Sequence, residues 1–272
     1  MKKEMLQKKA AEIRIDIMEM LCEAGSGHSG GSLSIADVFT YLYFSGDLKM
    51  DPKNPSLKDR DRVILSKGHA CPVLYAALAE KGYFDKSILK TLRKYGSILQ
   101  GHPDMKKVPG VEISTGSLGQ GLSAGVGMAL GLRLDNSPVN VFVIIGDGES
   151  EEGQIWEAAM SAAHYKLGNL IGILDKNGLQ IDGFTKDIMN SEPIADKWRA
   201  FGWKVIEINA HDFNEIENAV KQAKEEKNCP VMIIANSIKG KGVSFMENQC
   251  EWHGKTPNPE ERDRAISELK VY

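Results

Sequence analysis

Two short polar segments, G-D-G-E-S-E-E-G from Gly146 and D-K-N-G-L-Q-I-D-G up to Gly183, set an acidic residue, Asp147, thirty positions before an amide residue, Asn177. That interval is the length of one strand-helix-strand crossover. Val139 to Ile145 is an apolar run broken only by Asn140, Glu152 to Lys166 has helical character, and Leu170 to Leu174 is a second apolar run. The runs therefore predict adjacent parallel strands, each delivering its polar residue just past its carboxyl end. Asp147 and Asn177 then meet on the edge where open α/β sheets bind ligands. Gly-Asp-Gly alone is a common turn, and Asn177-Gly178 alone suits a tight turn. Together, at this spacing, they offer hard oxygen ligands of the kind Mg²⁺ completes with phosphate oxygens and water. The pair predicts a phosphorylated cofactor.

The remaining pattern extends this unit. Leu6, Ala10, Ile13, Ile17, Met20 and Ala24 form a helix stripe ended by Gly25. Ser34 to Phe44 reads as a second helix opened by a capping-box-like Ser34-x-x-Asp37, and Cys71 to Lys81 as a third. Arg62 to Leu65, Trp203 to Ile208 and Val231 to Ala235 read as further strands, the last two flanking a helical stretch from Phe213 to Glu226. Gln249 to Glu261 reads as a loop. Five strands alternating with helices predict an α/β fold, a doubly wound, mostly parallel sheet flanked by helices, in one domain over residues 1–272. A net charge of −3 argues against a nucleic-acid or membrane-surface partner. Four scattered cysteines and a charged N-terminus fit a reducing cytoplasm and give no sign of zinc, disulfides, export or a membrane span.

Four of the six histidines adjoin glycine in loop-like contexts: His28, His69, His102 and His253. Glycine permits close backbone approach to a ligand, and histidine exchanges protons near neutral pH. His69 is best placed, directly after a strand. His164, inside a helix, and His211, before a helix N-cap at Asp212, read as structural. Ser114 to Gly131 is rich in glycine, and its Gly119-Gln120-Gly121-Leu122-Ser123-Ala124 imitates a dinucleotide fingerprint. No strong strand precedes it and no acidic residue follows at the required distance. It reads instead as a loop against a cofactor, followed by a small-faced helix that packs closely on another element or subunit.

In order, the segments Gly25–Ser32, Leu65–Ala70, Gly101–Asp104, Ser114–Gly121, Gly146–Gly153, Asp175–Gly183 and the E-W-H-G around His253 resemble the N-terminal, diphosphate-binding half of transketolase over nearly the whole chain. The resemblance implies thiamine diphosphate and Mg²⁺ as cofactors, with Asp147, Asn177 and the backbone carbonyl of Leu179 on the metal. It places His69, Gly146 and Gly148 at the cofactor, Gly116 and Leu118 at its aminopyrimidine, and His28, His102 and His253 at the sugar as catalytic residues. Glu152 and Glu157 match glutamates near the family's subunit interface. Ser29 and Ser117 stand where the family often has proline. Because the sequence ends at Tyr272, the resemblance implies a separate C-terminal transketolase subunit in an α2β2 assembly that transfers a two-carbon ketol unit between sugars or sugar phosphates. The corresponding component of a deoxyxylulose-phosphate synthase or a 2-oxo acid dehydrogenase, and a non-catalytic cofactor-binding module, are the alternatives.

Overall fold

The computed structural model describes residues 3–271; Met1 and Lys2 of the charged N-terminal stretch, and Tyr272, lie outside the described residues. In chain order the elements are α1 (Lys3–Ala24), α2 (Gly30–Ser34), α3 (Ala36–Phe44), β1 (Arg62–Leu65), α4 (Cys71–Lys81), α5 (Gln120–Leu134), β2 (Val141–Gly146) and α6 (Gly153–His164). These are followed by β3 (Leu170–Lys176), α7 (Thr185–Ile188), α8 (Ile194–Ala200), β4 (Lys204–Asn209), α9 (Phe213–Glu225), β5 (Val231–Asn236) and α10 (Pro259–Leu269). The five strands form one parallel sheet in the order β1-β2-β3-β5-β4. Because all five run the same way, the segments after β1, β2, β3 and β5 emerge on one edge.

Alternation along the strands separates two cores. Phe142, Ile144, Ile171 and Ile233 pack with α1, α3, α4, α9 and α10, while Val143, Ile145, Leu174 and Ile234 pack with α5, α6 and α8. Every residue of β2 is buried, as expected of a parallel strand covered on both faces. No helix among the described residues is long and apolar enough to cross a membrane.

Two sequence expectations need correction. The helix over Ser34 to Phe44 is two helices, broken at Ile35 (φ −101°, ψ 6°), and the capping box at Ser34 does not form. Tertiary partners take both side chains: Ser34 Oγ donates to Asp175 Oδ2 (2.6 Å), and Asp37 pairs with Arg14 (2.7 Å). The Gln249–Glu261 loop is also shorter than expected. Cys250–His253 is a 3-10 turn, and Asn258 and Glu261 form a true capping box that starts α10.

Helix α5 has two kinds of glycine. A Cβ on Gly121 would lie 2.7 Å from the Cα of Ser66, whereas Gly127 and Gly131 face open space and are exposed. The inner glycine is therefore a close-packing requirement and the outer two only weaken the helix. Gly127→Ala and Gly131→Ala are expected to raise the stability of the partner-free chain by about 0.5–1 kcal/mol each. Gly121→Ala is expected to lower it by about 1–3 kcal/mol, since backbone must move. Urea unfolding of the three variants checks this, and equal destabilisation at positions 121 and 127 would contradict the assignment of faces.

Candidate active site

The residue that organises the strand edge is Asp175, at the end of β3 and wholly buried. Lys67, just past β1 and also buried, donates Nζ to Asp175 Oδ2 and to the carbonyl of Gly31 (2.9 Å). Ser34, Ser237 and the amide of Asn177 (3.2 Å) donate to the same carboxylate. Burial alone would raise its pKa, but Lys67 and the hydroxyl donors more than offset this and hold it below the ordinary value. Three other segments of the chain, the loop after β1, α2 and the segment after β5, are thereby fixed to one group. Glu149 does the same for the neighbouring loops, accepting from Ser66 Oγ, Gly119 N–H (2.9 Å) and Gly146 N–H (3.1 Å).

Asp147 follows β2 and is buried, with Oδ1 accepting from Gly148 N–H (2.9 Å) and Oδ2 from Gly178 N–H (2.6 Å). Burial, then the negative charge of Asp175, pushes its pKa up to about 6. Lys67 works in the opposite direction without offsetting them. Asn177 is oriented by giving its amide N–H to Asp175 while its Oδ1 accepts from Leu179 N–H (3.1 Å). The Leu179 carbonyl accepts from Lys239 Nζ (3.0 Å). Asp147, Asn177 and Leu179 all line one cavity of about 320 Å³. Among the described residues no three His, Cys, Asp or Glu side chains are grouped to hold a metal, so a cation here would draw on amide, backbone and ligand oxygens.

The same cavity gathers His28, His69, His102 and His253, together with Gly116, Leu118, Gly146 and Gly148. Ring centroids of His28 and His69 are 5.2 Å apart, of His28 and His253 5.5 Å, and of His69 and His253 5.2 Å. Burial, followed by the nearby cations Arg93, Lys67 and Lys239 respectively, lowers His28 to about 4, His69 to about 2 and His253 to about 3. All three are neutral at pH 7. His28 Nδ1 is buried with no hydrogen-bond partner in the described structure. Gly116 has φ +145°, and a Cβ there would come within 2.9 Å of the His102 ring. Glycine lets that loop close over the histidine.

His164 is exposed at the end of α6, away from the cavity, as is Glu157, whereas Glu152 reaches its rim. Ser29 has gained a role: its Oγ lies 3.2 Å from the Trp252 carbonyl and 2.8 Å from that of Lys255, tying the His28 loop to the His253 turn. Four site residues were missed: Lys67, Glu149, Asp175 and Lys239. Three of them lie in motifs the sequence presents, S-K-G-H, G-D-G-E and D-K-N-G, whereas Lys239, in I-K-G-K-G, lies outside all of those motifs. The available signal was a charged residue in a strand-end loop with no solvent-facing reason to be there.

The model of the transketolase thiamine diphosphate binding domain matches residues 5–269. The 6-deoxy-6-sulfo-D-fructose transketolase subunit SqwG of Clostridium sp. (strain MSTE9) is 50% identical over 97% of this chain and 96% of its own length. An apulose-4-phosphate transketolase subunit of Phocaeicola vulgatus is 41% identical over 99% of this chain and 95% of its own length. The crystal structure of transketolase from Campylobacter jejuni superposes with a TM-score of 0.93 at 34% identity, covering 99% of this chain and 43% of that one. The chain thus matches nearly the whole of the relatives named as subunits and less than half of a full-length transketolase. It belongs to the transketolase family, as a subunit corresponding to the N-terminal, thiamine diphosphate-binding part.

Proposed function

We propose that this chain, assembled with a separately encoded C-terminal transketolase subunit, forms a thiamine diphosphate- and Mg²⁺-dependent transketolase. It moves a two-carbon ketol unit from a ketose to an aldose. The observation that carries the reading is the single cavity in which an oxygen corner (Asp147, Asn177, Leu179) meets a cluster of neutral histidines. The residues present fit the cofactor. Lys67 and Lys239 supply two cations to the cavity wall, against four carboxylates, Asp147, Glu149, Glu151 and Glu152. A diphosphate therefore enters favourably only with a divalent cation, which the Asp147 corner is built to hold.

When bound, thiamine diphosphate supplies a centre that stabilises the carbanion left by breaking the ketose C2–C3 bond. The chain's own residues handle binding and protons. His69 and Lys239 stand where they can donate to diphosphate oxygens, and Gly116 and Leu118 border the space beside His102. As the C2–C3 bond breaks, the C3 hydroxyl must give up a proton, and the acceptor aldehyde later regains one. His28, neutral and lining the cavity, is suited to accept that proton. Lys239 Nζ lies 2.8 Å from His253 Nδ1. Donation by the ammonium leaves the His253 ring proton on Nε2, available to a sugar oxygen, with His102 near O1.

The relatives named for 6-deoxy-6-sulfo-D-fructose and apulose-4-phosphate suggest a substrate with an anionic group, a sulfonate or a phosphate, remote from the carbonyl. The outer face of α5, where Gly127, Gly131 and Leu134 are exposed, continues past the exposed Met160 of α6. We assign it to the partner subunit, in an α2β2 assembly whose cofactor sites lie at interfaces. A reducing cytoplasm is the compartment this chemistry fits.

The reading is tested by mixing the chain with its partner and measuring ketol transfer from sulfonated and phosphorylated ketoses. Turnover is expected from the mixture and not from the chain alone, and absence of turnover from the mixture with either donor would overturn it. Asp147→Ala and Asn177→Ala are each expected to remove Mg²⁺-dependent cofactor binding while the fold survives. Calorimetry showing parental affinity in either variant would exclude the metal assignment. His28→Ala and His253→Ala should keep the cofactor but lose kcat/KM for the donor by roughly 10²–10⁴-fold. Unchanged values in both would remove these histidines from the proton transfers.

A further inference from the structure

His211, which the sequence presents as a structural residue ahead of a helix, lies in a chain of buried and half-buried contacts that ends in the cavity. Arg14 of α1 makes a two-pronged pair with Asp37 of α3 (2.8 and 2.7 Å) and donates Nε to the carbonyl of Lys241 (3.1 Å). Burial opposes charge on Asp37, but Arg14 holds its carboxyl well below the usual carboxylate range. An ionised Asp37 can only accept, so the 2.8 Å contact to His211 Nδ1 requires a proton on that nitrogen. The other nitrogen, Nε2, faces a backbone donor. It accepts from the backbone N–H of Ile238 at 3.0 Å.

Ile238 precedes Lys239, whose backbone is held on both sides. Gly240 N–H donates to the Gly30 carbonyl (3.1 Å), and Asn248 N–H donates to the Lys239 carbonyl (2.9 Å). The Lys239 stem passes over Gly30, where a Cβ would lie 3.0 Å from Cγ. Its ammonium reaches Leu179 and His253 (3.0 and 2.8 Å). We infer that Asp37 and His211 form a positioning pair that fixes the 238–241 segment, and through Lys239 sets the diphosphate-facing ammonium and the tautomer of His253. The role deepens the transketolase reading and rests on it for the identity of the bound diphosphate. Its geometry resembles the carboxylate-histidine arrangement that orients metal ligands, with a backbone N–H in the metal's place.

Two amide substitutions separate this role from simple packing. His211→Asn retains a donor toward Asp37 but is too short to reach Ile238, whereas His211→Gln places an acceptor where Nε2 stood. In the parent chain, ¹⁵N histidine spectra should show His211 protonated on Nδ1 and His253 on Nε2. The asparagine variant should turn His253 into a mixture of tautomers and weaken thiamine diphosphate binding to the assembled protein roughly 10-fold. The glutamine variant should restore both. In a Lys239→Met background the asparagine substitution should cost no further affinity. A His211 ring protonated on Nε2, an unaltered His253 in the asparagine variant, or an undiminished loss in the Lys239→Met background would each overturn the proposal. If the parent itself binds no thiamine diphosphate, the functional reading fails, and the His253 spectra alone still decide the relay.

Discussion

The buried contact between Lys67 and Asp175 is the interaction on which the site depends. Taking both charges out of water is costly, and such a pair replaced by apolar side chains is often no less stable. Its value here is registry. Lys67 belongs to the loop after β1, Asp175 ends β3, and their shared partners bring in α2 through Gly31 and Ser34 and the segment after β5 through Ser237. Removing either partner would leave an uncompensated buried charge directly under Asp147 and Asn177. The pair also sets the local potential: Asp175 raises the proton affinity of Asp147, and Lys67 lowers that of His69. Burial is the larger cause of both shifts, and the ion pair reinforces it at each site.

Much of this arrangement was legible in the sequence because parallel sheets leave strong traces. Five apolar runs separated by helical stretches fix the strands to within a residue or two, and polar residues at their carboxyl ends fall on the ligand edge by construction. Asp147, Asn177 and the glycine-flanked histidines were legible for that reason. The sheet order was less so, since β4 runs to the far edge and β5 returns between it and β3, a choice that no local pattern encodes. What escaped were interactions set by the completed fold. Ser34 reads as a cap but serves Asp175, because it is the last residue of α2 while Ile35 takes the N-cap position of α3, and its hydroxyl donates to the buried carboxylate. Lys67 and Lys239 looked like ordinary loop lysines, since only the closing of the cavity shows that their ammonium groups are enclosed.

The neutrality of the histidines bears on how the site changes when filled. Burial and neighbouring cations, Arg93 beside His28 and Lys67 and Lys239 beside His69 and His253, suppress protonation of the three rings. Nearby anionic oxygens reverse that influence, because an opposite charge within a few ångströms favours the charged form. Lys239, lowered to about 8 by burial and Lys67, responds in the same direction. A histidine whose proton affinity rises toward neutrality is a better acid-base catalyst than one held far below it. Under the proposed function, the cofactor's charge would tune the histidines assigned to the sugar.

Glu149 carries the same logic outward. It bonds Gly146, beside Asp147, and Gly119, the residue that opens α5, so the cofactor corner and the helix assigned to the partner share one buried carboxylate. Ser66 completes the link by touching both Glu149 and the close-packed Gly121. A partner seated on α5 can thus bias the placement of the Asp147 loop, and a cation and diphosphate on Asp147 can bias α5. Linkage makes the two effects equal: whatever factor assembly contributes to cofactor affinity, the cofactor must return to assembly. Because that coupling runs through hydrogen bonds to backbone N–H groups, it is written in the loops and not in the exposed helix face.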